Sequence, residues 1–290
     1  MSIAKEIKPA RPEPAPGLGE RLRVNAEAWF RLLARRPRGK PARMAWRTPL
    51  RLATGALVSL GAIIATMVLI DAPTITAARS LPPGIVAWFD WVTGFGTSDW
   101  FLVPIGLLLA TIAALASPAL TRTSRLVLAA MTARLSFVFA AIALPGLVVT
   151  IAKRLIGRAR PSVGGPADPF LYLPFSWRPD HASLPSGHAA NVFAALIAFG
   201  LLWPRLRGAM LAFALMIGTS RVVVLAHHPS DVLAGALAGG VGALLVRDYF
   251  AARRLGFAIG ADGKVRALPG PSARRLLAVA REIVAQIVAQ

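Results

Sequence analysis

Residues Leu52 to Ile70 form a run of about 19 residues without a single charged side chain. As a helix this run is about 28 Å long, close to the roughly 30 Å of hydrocarbon in a bilayer. A chain that contains such a run must either bury it deeply or place it in lipid. The run therefore predicts a membrane-spanning helix.

Further apolar runs follow along the chain. They are Trp100–Ala116, Leu135–Ile151, Ala189–Trp203, Gly208–Ala226 and Val232–Val246. The last is rich in Gly and Ala, as packed membrane helices often are, and Arg221 is the single charge in the run before it. The sequence therefore predicts an all-α polytopic membrane protein with six transmembrane helices in a bundle.

Composition supports the membrane over a large soluble helical protein. The chain is 56% hydrophobic and 16% charged, whereas soluble domains are about 45–50% apolar and about 25% charged. The net charge of +20 would suggest a nucleic acid partner in a soluble protein. With this apolar content it points to a membrane instead, and we expect no nucleic acid partner. The absence of cysteine excludes a disulfide scaffold and a cysteine nucleophile.

The distribution of Lys and Arg predicts the orientation, because cytoplasmic loops are enriched in these bases. Bases concentrate in the N-terminal segment up to Arg47, near Arg122 and Arg125, near Arg205 and Arg207, and after Arg247. With six spans these regions share one side, so we expect both termini in the cytoplasm and a location in the cell inner membrane. The segments Asp71–Asp99, Gly157–Pro185 and His227–Pro229 then face the periplasm.

The chain is expected to have three parts. Residues 1–49 are predicted to be a basic cytoplasmic tail, disordered over 1–20, and residues 50–250 the membrane domain. Residues 251–290 are predicted to be a cytoplasmic tail with an amphipathic helix over Arg274–Gln290, either interfacial or a partner surface. The aromatic residues from Trp88 to Phe101 indicate an interfacial belt or a short re-entrant helix.

Five bases break the charge rule on the outer side: Arg178, and four in the sequence Lys153-Arg154-Leu155-Ile156-Gly157-Arg158-Ala159-Arg160-Pro161. One or two could be snorkelling anchors. Four, with Pro161 ending the helix after Arg160, favour a phosphate cradle, because guanidinium binds phosphate oxygens in a bidentate fork.

A second cluster, Leu184-Pro185-Ser186-Gly187-His188, directly precedes the fourth run. Pro and Gly bring a turn to a helix start, where free N–H groups favour an anion. Ser186 adds a hydroxyl, and His188 can hold a transferable proton near neutral pH. A serine N-cap with an incidental histidine is the alternative.

A third cluster extends from Ser220-Arg221 through His227, His228 and Pro229 to Asp231. A charge at a membrane edge, such as Arg221, suggests function. Pro229 suits a first helical turn, which places Asp231 within hydrogen-bond reach of one ring nitrogen of His227. The other nitrogen is then free as a nucleophile, unless His227 and Asp231 are only a structural pair.

Together the three clusters resemble the signature motifs of the type 2 phosphatidic acid phosphatase superfamily in residue type, spacing and order. The resemblance covers roughly Leu50–Tyr249. This family also contains soluble vanadium haloperoxidases, and the six spans favour its lipid phosphatase branch.

The resemblance implies metal-independent phosphoryl transfer without a cofactor. His227 would attack phosphorus to form a phosphohistidine, Asp231 would orient it, and His188 would protonate the leaving group and later activate water. Lys153, Arg160 and Arg221 would hold the phosphoryl oxygens, joined by Ser186 and the N–H of Gly187. Arg154 and Arg158 would either join them or face lipid headgroups. A zinc site that includes His181 and His228 is the weaker alternative, because the surrounding cations oppose a dication.

The substrate is expected to be a membrane lipid phosphate: polyprenyl diphosphate, phosphatidylglycerol phosphate, phosphatidate or lipid A. Transfer to another acceptor, or a non-catalytic binder or transporter, are the alternatives. The residues from Gly164 to Asp180 form a loop that could cap the site, shape headgroup choice or be an ordinary surface loop. The sequence leaves the oligomeric state open.

Overall fold

The structure is a computed structural model that describes residues 17–37, 48–163 and 168–288. The expected disorder of residues 1–16 lies outside these ranges. So do the N-terminal bases Arg38, Lys40, Arg43 and Arg47, and residues 164–167 of the predicted loop.

The described part of the chain is mostly helical. The helices are α1 (Leu18–Ala34), α2 (Pro49–Leu69), α3 (Asp71–Arg79), α4 (Pro83–Thr93), α5 (Asp99–Leu115), α6 (Arg122–Ile156), α7 (Gly187–Leu202), α8 (Arg207–Val223), α9 (Pro229–Ala252) and α10 (Ala273–Val288). Two short strands that the sequence did not predict, β1 (Phe257–Ile259) and β2 (Val265–Ala267), pair antiparallel after α9.

Within the part of the chain that the structure describes, five helical segments are long and apolar enough to cross a membrane. They are Pro49–Leu69, Pro83–Leu115, Arg122–Ile156, Pro204–Val223 and Pro229–Ala252. The fourth predicted span corresponds to α7, an apolar helix of 16 residues that is about 24 Å long. The prediction of a helical, multi-pass membrane protein is confirmed, whereas six spans and their orientation remain predictions.

Helix α7 lies at the centre of the bundle and packs against α6, α8 and α9. Its contact with α9 is close because glycines replace side chains there. A Cβ on Gly235 would lie 2.3 Å from the carbonyl oxygen of Ser186, and one on Gly239 would lie 2.1 Å from that of Ala190. Only glycine fits at this spacing, so these residues set the distance between two helices that carry predicted site residues.

Helix α1 lies within the predicted N-terminal tail, where the sequence did not predict a helix. The Nδ2 of Asn25 donates to the carbonyl oxygens of Ala113 (2.8 Å) and Ala116 (2.9 Å) at the end of α5. Trp29 and Leu33 pack against the main hydrophobic core. The expected disorder is therefore wrong for residues 18–20, because α1 docks on the bundle.

Helix α6 ends earlier than predicted. It stops at Ile156, and Gly157 follows in the left-handed conformation with φ of 67°, which commonly ends a helix. A Cβ at Gly157 would lie only 1.8 Å from the carbonyl oxygen of Leu173. The prediction that Pro161 ends this helix is wrong, because residues 157–159 leave the helix to pair with residues 171–173.

The close contact between α7 and α9 can be tested with two neighbouring glycines. Gly239→Ala should lower the thermal unfolding midpoint in detergent, because forcing atoms into a packed interface costs about 1–3 kcal/mol. Gly240→Ala is the matched control, since its Cβ would meet only Ile197, at 4.0 Å. Equal midpoints for the two variants would contradict the packing described here.

Candidate active site

The structure brings the three predicted clusters to one place, at the end of α6 and the starts of α7 and α9. The first and second clusters are adjacent, because a Cβ on Gly187 would lie only 3.5 Å from Nζ of Lys153. The backbone N–H of Ser186 donates to the carbonyl oxygen of Asp231 at 2.9 Å, which joins the second to the third. The site therefore consists of segments distant in sequence.

The two predicted helix starts are confirmed. Ser186 is the N-cap of α7, and its Oγ accepts from the N–H of Ala189 at 3.4 Å. Pro229 lies in the first turn of α9, with Asp231 in the same turn. Because a helix start carries a partial positive charge, both helices direct a positive end toward the site.

Lys153, Arg160 and Arg221, which we call the cation cluster, lie close enough for their charges to repel one another. Burial lowers the pKa of Arg160, and the charge of Arg154 lowers it further. Within the described ranges, the buried Nε atoms of Arg160 and Arg221 have no hydrogen-bond acceptor. An anion with several oxygens would relieve both the repulsion and the missing acceptors.

His188 lies in the first turn of α7, within the electrostatic field of the cation cluster and of His227. Its ring packs against the turn between α4 and α5, because a Cβ on Gly96 would lie 3.0 Å from its Cδ2. Thr93 of α4 accepts a 2.8 Å hydrogen bond from Nη1 of Arg221. The segment before α5 thus forms one wall of the site.

His227 is almost fully buried, at 2% exposure. Its Nδ1 lies 3.8 Å from Oδ2 of Asp231, which is longer than the predicted direct hydrogen bond. Ser183 lies between the two: its Oγ is 3.5 Å from Nδ1 of His227 and donates to Oδ2 of Asp231 at 2.6 Å. Ser183, which directly precedes the second cluster, was not identified from the sequence as a site residue.

Burial lowers the pKa of His227 to about 4, although the nearby Asp231 carboxylate acts in the opposite direction. The ring is therefore neutral at physiological pH. A neutral imidazole has the free electron pair that a nucleophile requires.

His228 is the N-cap of α9. It is 1% exposed, and its backbone N–H donates to Oδ2 of Asp231 at 2.8 Å. Its Nδ1 lies 3.3 Å from the same oxygen. Asp231 therefore caps its own helix while it holds Ser183 next to His227.

Arg158 does not belong to the cation cluster, and the prediction that it binds phosphate or faces headgroups is wrong. It is completely buried. Its Nη1 donates to Oδ1 of Asp231 at 2.5 Å, and its Nη2 donates to Oδ2 of Asp71 at 2.7 Å. The two carboxylates outweigh the effect of burial and raise the pKa of Arg158.

Asp71 was not identified from the sequence as a site residue. It begins α3 and is completely buried, and it accepts hydrogen bonds from the backbone N–H (2.9 Å) and the Oγ (2.5 Å) of Ser230. The available signal was an acidic residue directly after a transmembrane run, since a charge there needs a partner. The sequence alone does not show that the partners are Arg158 and Ser230.

The side chains of His181 and Arg154 also lie beside the site. Nδ1 of His181 is 2.9 Å from Oδ1 of Asp180, which also accepts from Arg178. The hydrogen bond from Arg178, with that from His181, lowers the pKa of Asp180 to about 2. Arg154 donates to the carbonyl oxygen of Trp177 at 2.6 Å. His181 and Arg154 therefore have partners of their own around the site.

Comparison with known proteins identifies a family and close sequence relatives. A family model described as the PAP2 superfamily matches residues 134–255, which include all three clusters. A lipid A 1-phosphatase of Rhizobium johnstonii is 36% identical over 232 residues, which cover 80% of this chain and 92% of that protein. A lipid A 1-phosphatase of Rhizobium etli is 36% identical over 215 residues, 74% of this chain and 92% of that protein.

Solved structures give weaker matches. Aquifex aeolicus LpxE has a TM-score of 0.43 at 20% identity, over 61% of this chain and 94% of that one. A PAP2-type phosphatidylglycerolphosphate phosphatase of Bacillus subtilis has a TM-score of 0.42 at 17% identity, over 79% of this chain and 95% of that one.

The fold and the sequence relatives define a membrane-embedded lipid phosphate phosphatase. The chain belongs to the PAP2 superfamily, the type 2 phosphatidic acid phosphatases that the three clusters resemble. The family prediction is therefore confirmed, while the roles of individual residues remain to be argued.

The pKa of His227 can be measured directly. The chain has only four histidines, so ring-selective NMR of histidine-labelled protein gives few signals, and His227→Gln identifies the relevant one. We expect the ring to remain neutral at pH 5.5 and to gain its proton only as the pH falls to about 4. A midpoint at or above about 6.5, the ordinary histidine value, would show that burial does not control this group.

Removal of Arg158 should destabilise the protein. Arg158→Met leaves the buried Asp71 and Asp231 carboxylates without their cation, which costs about 3–5 kcal/mol for a buried pair. We expect a clear fall in the thermal unfolding midpoint in detergent, and partial recovery when Asp71→Asn is added. Arg178→Met, which removes an exposed ion pair, should leave the midpoint unchanged. A wild-type midpoint for Arg158→Met would contradict the structural role of the buried pair.

Proposed function

We propose that this protein hydrolyses the 1-phosphate of lipid A through a phosphohistidine on His227. The observation that carries the mechanism is a buried, neutral imidazole next to the cation cluster. Support for the substrate comes from relatives named lipid A 1-phosphatase, which align with this chain over 92% of their own length. The other lipid phosphates considered above are the competing substrates.

In this proposal the phosphoryl group binds between the cation cluster and the start of α7. Lys153, Arg160 and Arg221 hold its oxygens, and the Oγ of Ser186 and the N–H of Gly187 complete the cradle. Phosphoryl transfer depends mainly on positioning and on stabilising the charge that spreads over these oxygens. Three cations and a helix start supply that charge from groups already fixed in place.

Before the first step, His188 takes up a proton as the negatively charged phosphate enters the site. Nε2 of His227 then attacks phosphorus: a bond forms between this nitrogen and phosphorus, the bond to the lipid oxygen breaks, and His188 donates its proton to that oxygen. Asp231 and Ser183 hold Nδ1 and its proton on the opposite side of the ring, where the carboxylate stabilises the positive charge of the phosphorylated imidazole.

The second step releases phosphate. His188, now neutral, accepts a proton from a water molecule as that water attacks phosphorus, and the bond between phosphorus and His227 breaks. Inorganic phosphate leaves, and both histidines return to their starting protonation states. The same side chain thus acts first as an acid and then as a base.

The proposal includes an orientation and a division of the chain. We infer that the site faces the periplasm of the inner membrane and that both termini are cytoplasmic, because the base-rich connections lie at the opposite ends of the spans. Residues 50–250 then form the catalytic membrane domain, between a basic segment over 1–49 and a C-terminal segment over 251–290. The substrate keeps its acyl chains in the bilayer while its phosphate enters the site.

The decisive experiment measures phosphate release from lipid A by purified protein in the presence of EDTA, with mass spectrometry to show which phosphate is lost. His227→Ala should lower turnover by at least about 10⁴-fold, as expected for loss of a nucleophile. His181→Ala is the control, because His181 pairs with Asp180, and it should retain activity. Substantial turnover by His227→Ala would remove this residue from the nucleophile role.

The His188→Ala variant completes this experiment. Loss of the acid and base should lower turnover by about 10²–10⁴-fold. With an aryl phosphate, whose leaving group needs no proton, the first step continues and the second is slow, so an acid-labile phosphoenzyme should accumulate. Its absence, or its persistence when His227→Ala is added, would contradict the proposed intermediate.

A further inference from the structure

The segment Phe170–Trp177, which we call the apolar loop, exposes an unusual number of large apolar side chains next to the site. Phe175 is 75% exposed and Trp177 is 83% exposed, and Phe170 and Leu173 are also exposed. Several large apolar side chains exposed in one short segment are unfavourable in water and commonly mark an interaction surface. The apolar loop is not used by the proposed catalytic mechanism.

The exposure does not result from a loosely attached segment. The N–H of Ala159 donates to the carbonyl oxygen of Leu171 at 2.9 Å, and the N–H of Leu173 donates to that of Gly157 at 2.7 Å. Nε of Arg158 donates to the carbonyl oxygen of Pro169 at 2.9 Å. The apolar loop is therefore fixed to the segment that carries Arg160, and its side chains have a defined direction.

The backbone of Phe175 supports a role for its ring. Its φ is 57°, in the left-handed region that glycine and asparagine prefer. An aromatic residue there costs about 1–2 kcal/mol relative to an unstrained conformation. Folding alone would favour glycine at this position, so the exposed ring does not stabilise the loop.

The position of the apolar loop relative to the membrane follows from one contact. The Oη of Tyr172 lies 3.6 Å from Sδ of Met67, in the last turn of α2. All residues of this membrane-spanning helix are exposed or half-buried, so its apolar side chains are available to lipid. The apolar loop thus lies beside the end of a lipid-facing helix and continues its apolar surface.

Charged residues flank the apolar loop in a way that fits a lipid surface. Arg154 bonds to the backbone of Trp177, and Arg178 follows directly in the chain. Lipid phosphates lie immediately outside the hydrocarbon, so aromatic side chains in the hydrocarbon bring neighbouring arginines to the phosphate level. This combination favours lipid over a protein partner.

We propose that the apolar loop inserts Phe175 and Trp177 into the hydrocarbon of the bilayer leaflet beside the site. The bilayer itself is the partner, and the loop holds the site entrance at the level of the lipid phosphates. This inference concerns membrane docking and is independent of the phosphohistidine mechanism and of lipid A as substrate.

The cysteine-free sequence allows a direct test. A polarity-sensitive fluorophore is attached to Phe175→Cys in nanodiscs of phosphatidylcholine, and lipids with a nitroxide on their acyl chains serve as quenchers. Leu57→Cys, exposed on α2, is the lipid reference, and Ala261→Cys, exposed between β1 and β2, is the water reference. We expect blue-shifted emission at position 175 and quenching similar to that at position 57.

Three results would overturn the proposal. Emission and quenching equal to those at position 261 would place Phe175 in water. Blue-shifted emission without quenching by lipid would indicate a protein contact. A blue shift that appears only after a multi-chain lipid phosphate is added would indicate that position 175 contacts the substrate chains instead of the bilayer. None of these measurements requires turnover, so they do not depend on the proposed function.

A second variant tests whether docking affects access to the site. Phe175→Gly removes the ring and relieves the left-handed strain, so the loop should keep its fold. We expect KM for a lipid phosphate in vesicles to rise about tenfold, the factor for one aromatic side chain leaving hydrocarbon. Hydrolysis of a water-soluble aryl phosphate should be unchanged, and Phe175→Leu should retain most of the vesicle activity. Equal losses on both substrates would mean that the ring only supports the fold.

Discussion

The buried bridge from Arg158 to Asp71 and Asp231 is the interaction on which the rest of the site depends. It joins the start of α3, the segment after α6 and the first turn of α9, all with side chains removed from water. Charges in such surroundings are tolerated only when they are paired and hydrogen-bonded. The bridge therefore fixes Asp231, and Asp231 in turn holds Ser183 and the N-cap residue His228 beside His227.

The same bridge separates the charges of the site. Arg158 forms an ion pair with Asp231, and Arg178 forms one with Asp180, so neither carboxylate is directly paired with the cation cluster. Within the described ranges, Lys153, Arg160 and Arg221 therefore form no direct ion pair, although Asp180 and Asp231 act on Arg160, and Asp90 on Arg221, over a longer distance. The starts of α7 and α9 add their partial positive charges. This positive environment, together with burial, also favours the neutral form of His227. Burial remains the main cause of that neutral form, and the ion-pair network leaves the cation cluster free for the phosphate group that we propose to bind there.

What the sequence predicted well was local. The apolar runs identify the membrane helices because hydrocarbon thickness sets their length, and Ser186 and Pro229 mark helix starts because capping chemistry is short-range. The resemblance to family motifs allowed three clusters that are distant in sequence to be assigned to one site. The bond from Arg158 to Asp71, however, joins residues 87 positions apart, and neither residue has a local pattern that reveals its partner. The end of α6 was predicted incorrectly for a similar reason, because Gly157 closely approaches the backbone carbonyl group of Leu173, which is distant in sequence.

The extended segment 157–160 connects the features that the sequence left separate. Arg158 turns into the protein to neutralise two carboxylates, Arg160 belongs to the cation cluster, and the backbone N–H of Ala159 holds the apolar loop. A continuing helix would have used these backbone groups internally and left no donor for the loop. Ending α6 at Ile156 therefore allows one short stretch of backbone to hold the buried ion pair, the candidate phosphate-binding cations and the surface next to the membrane in a fixed relation.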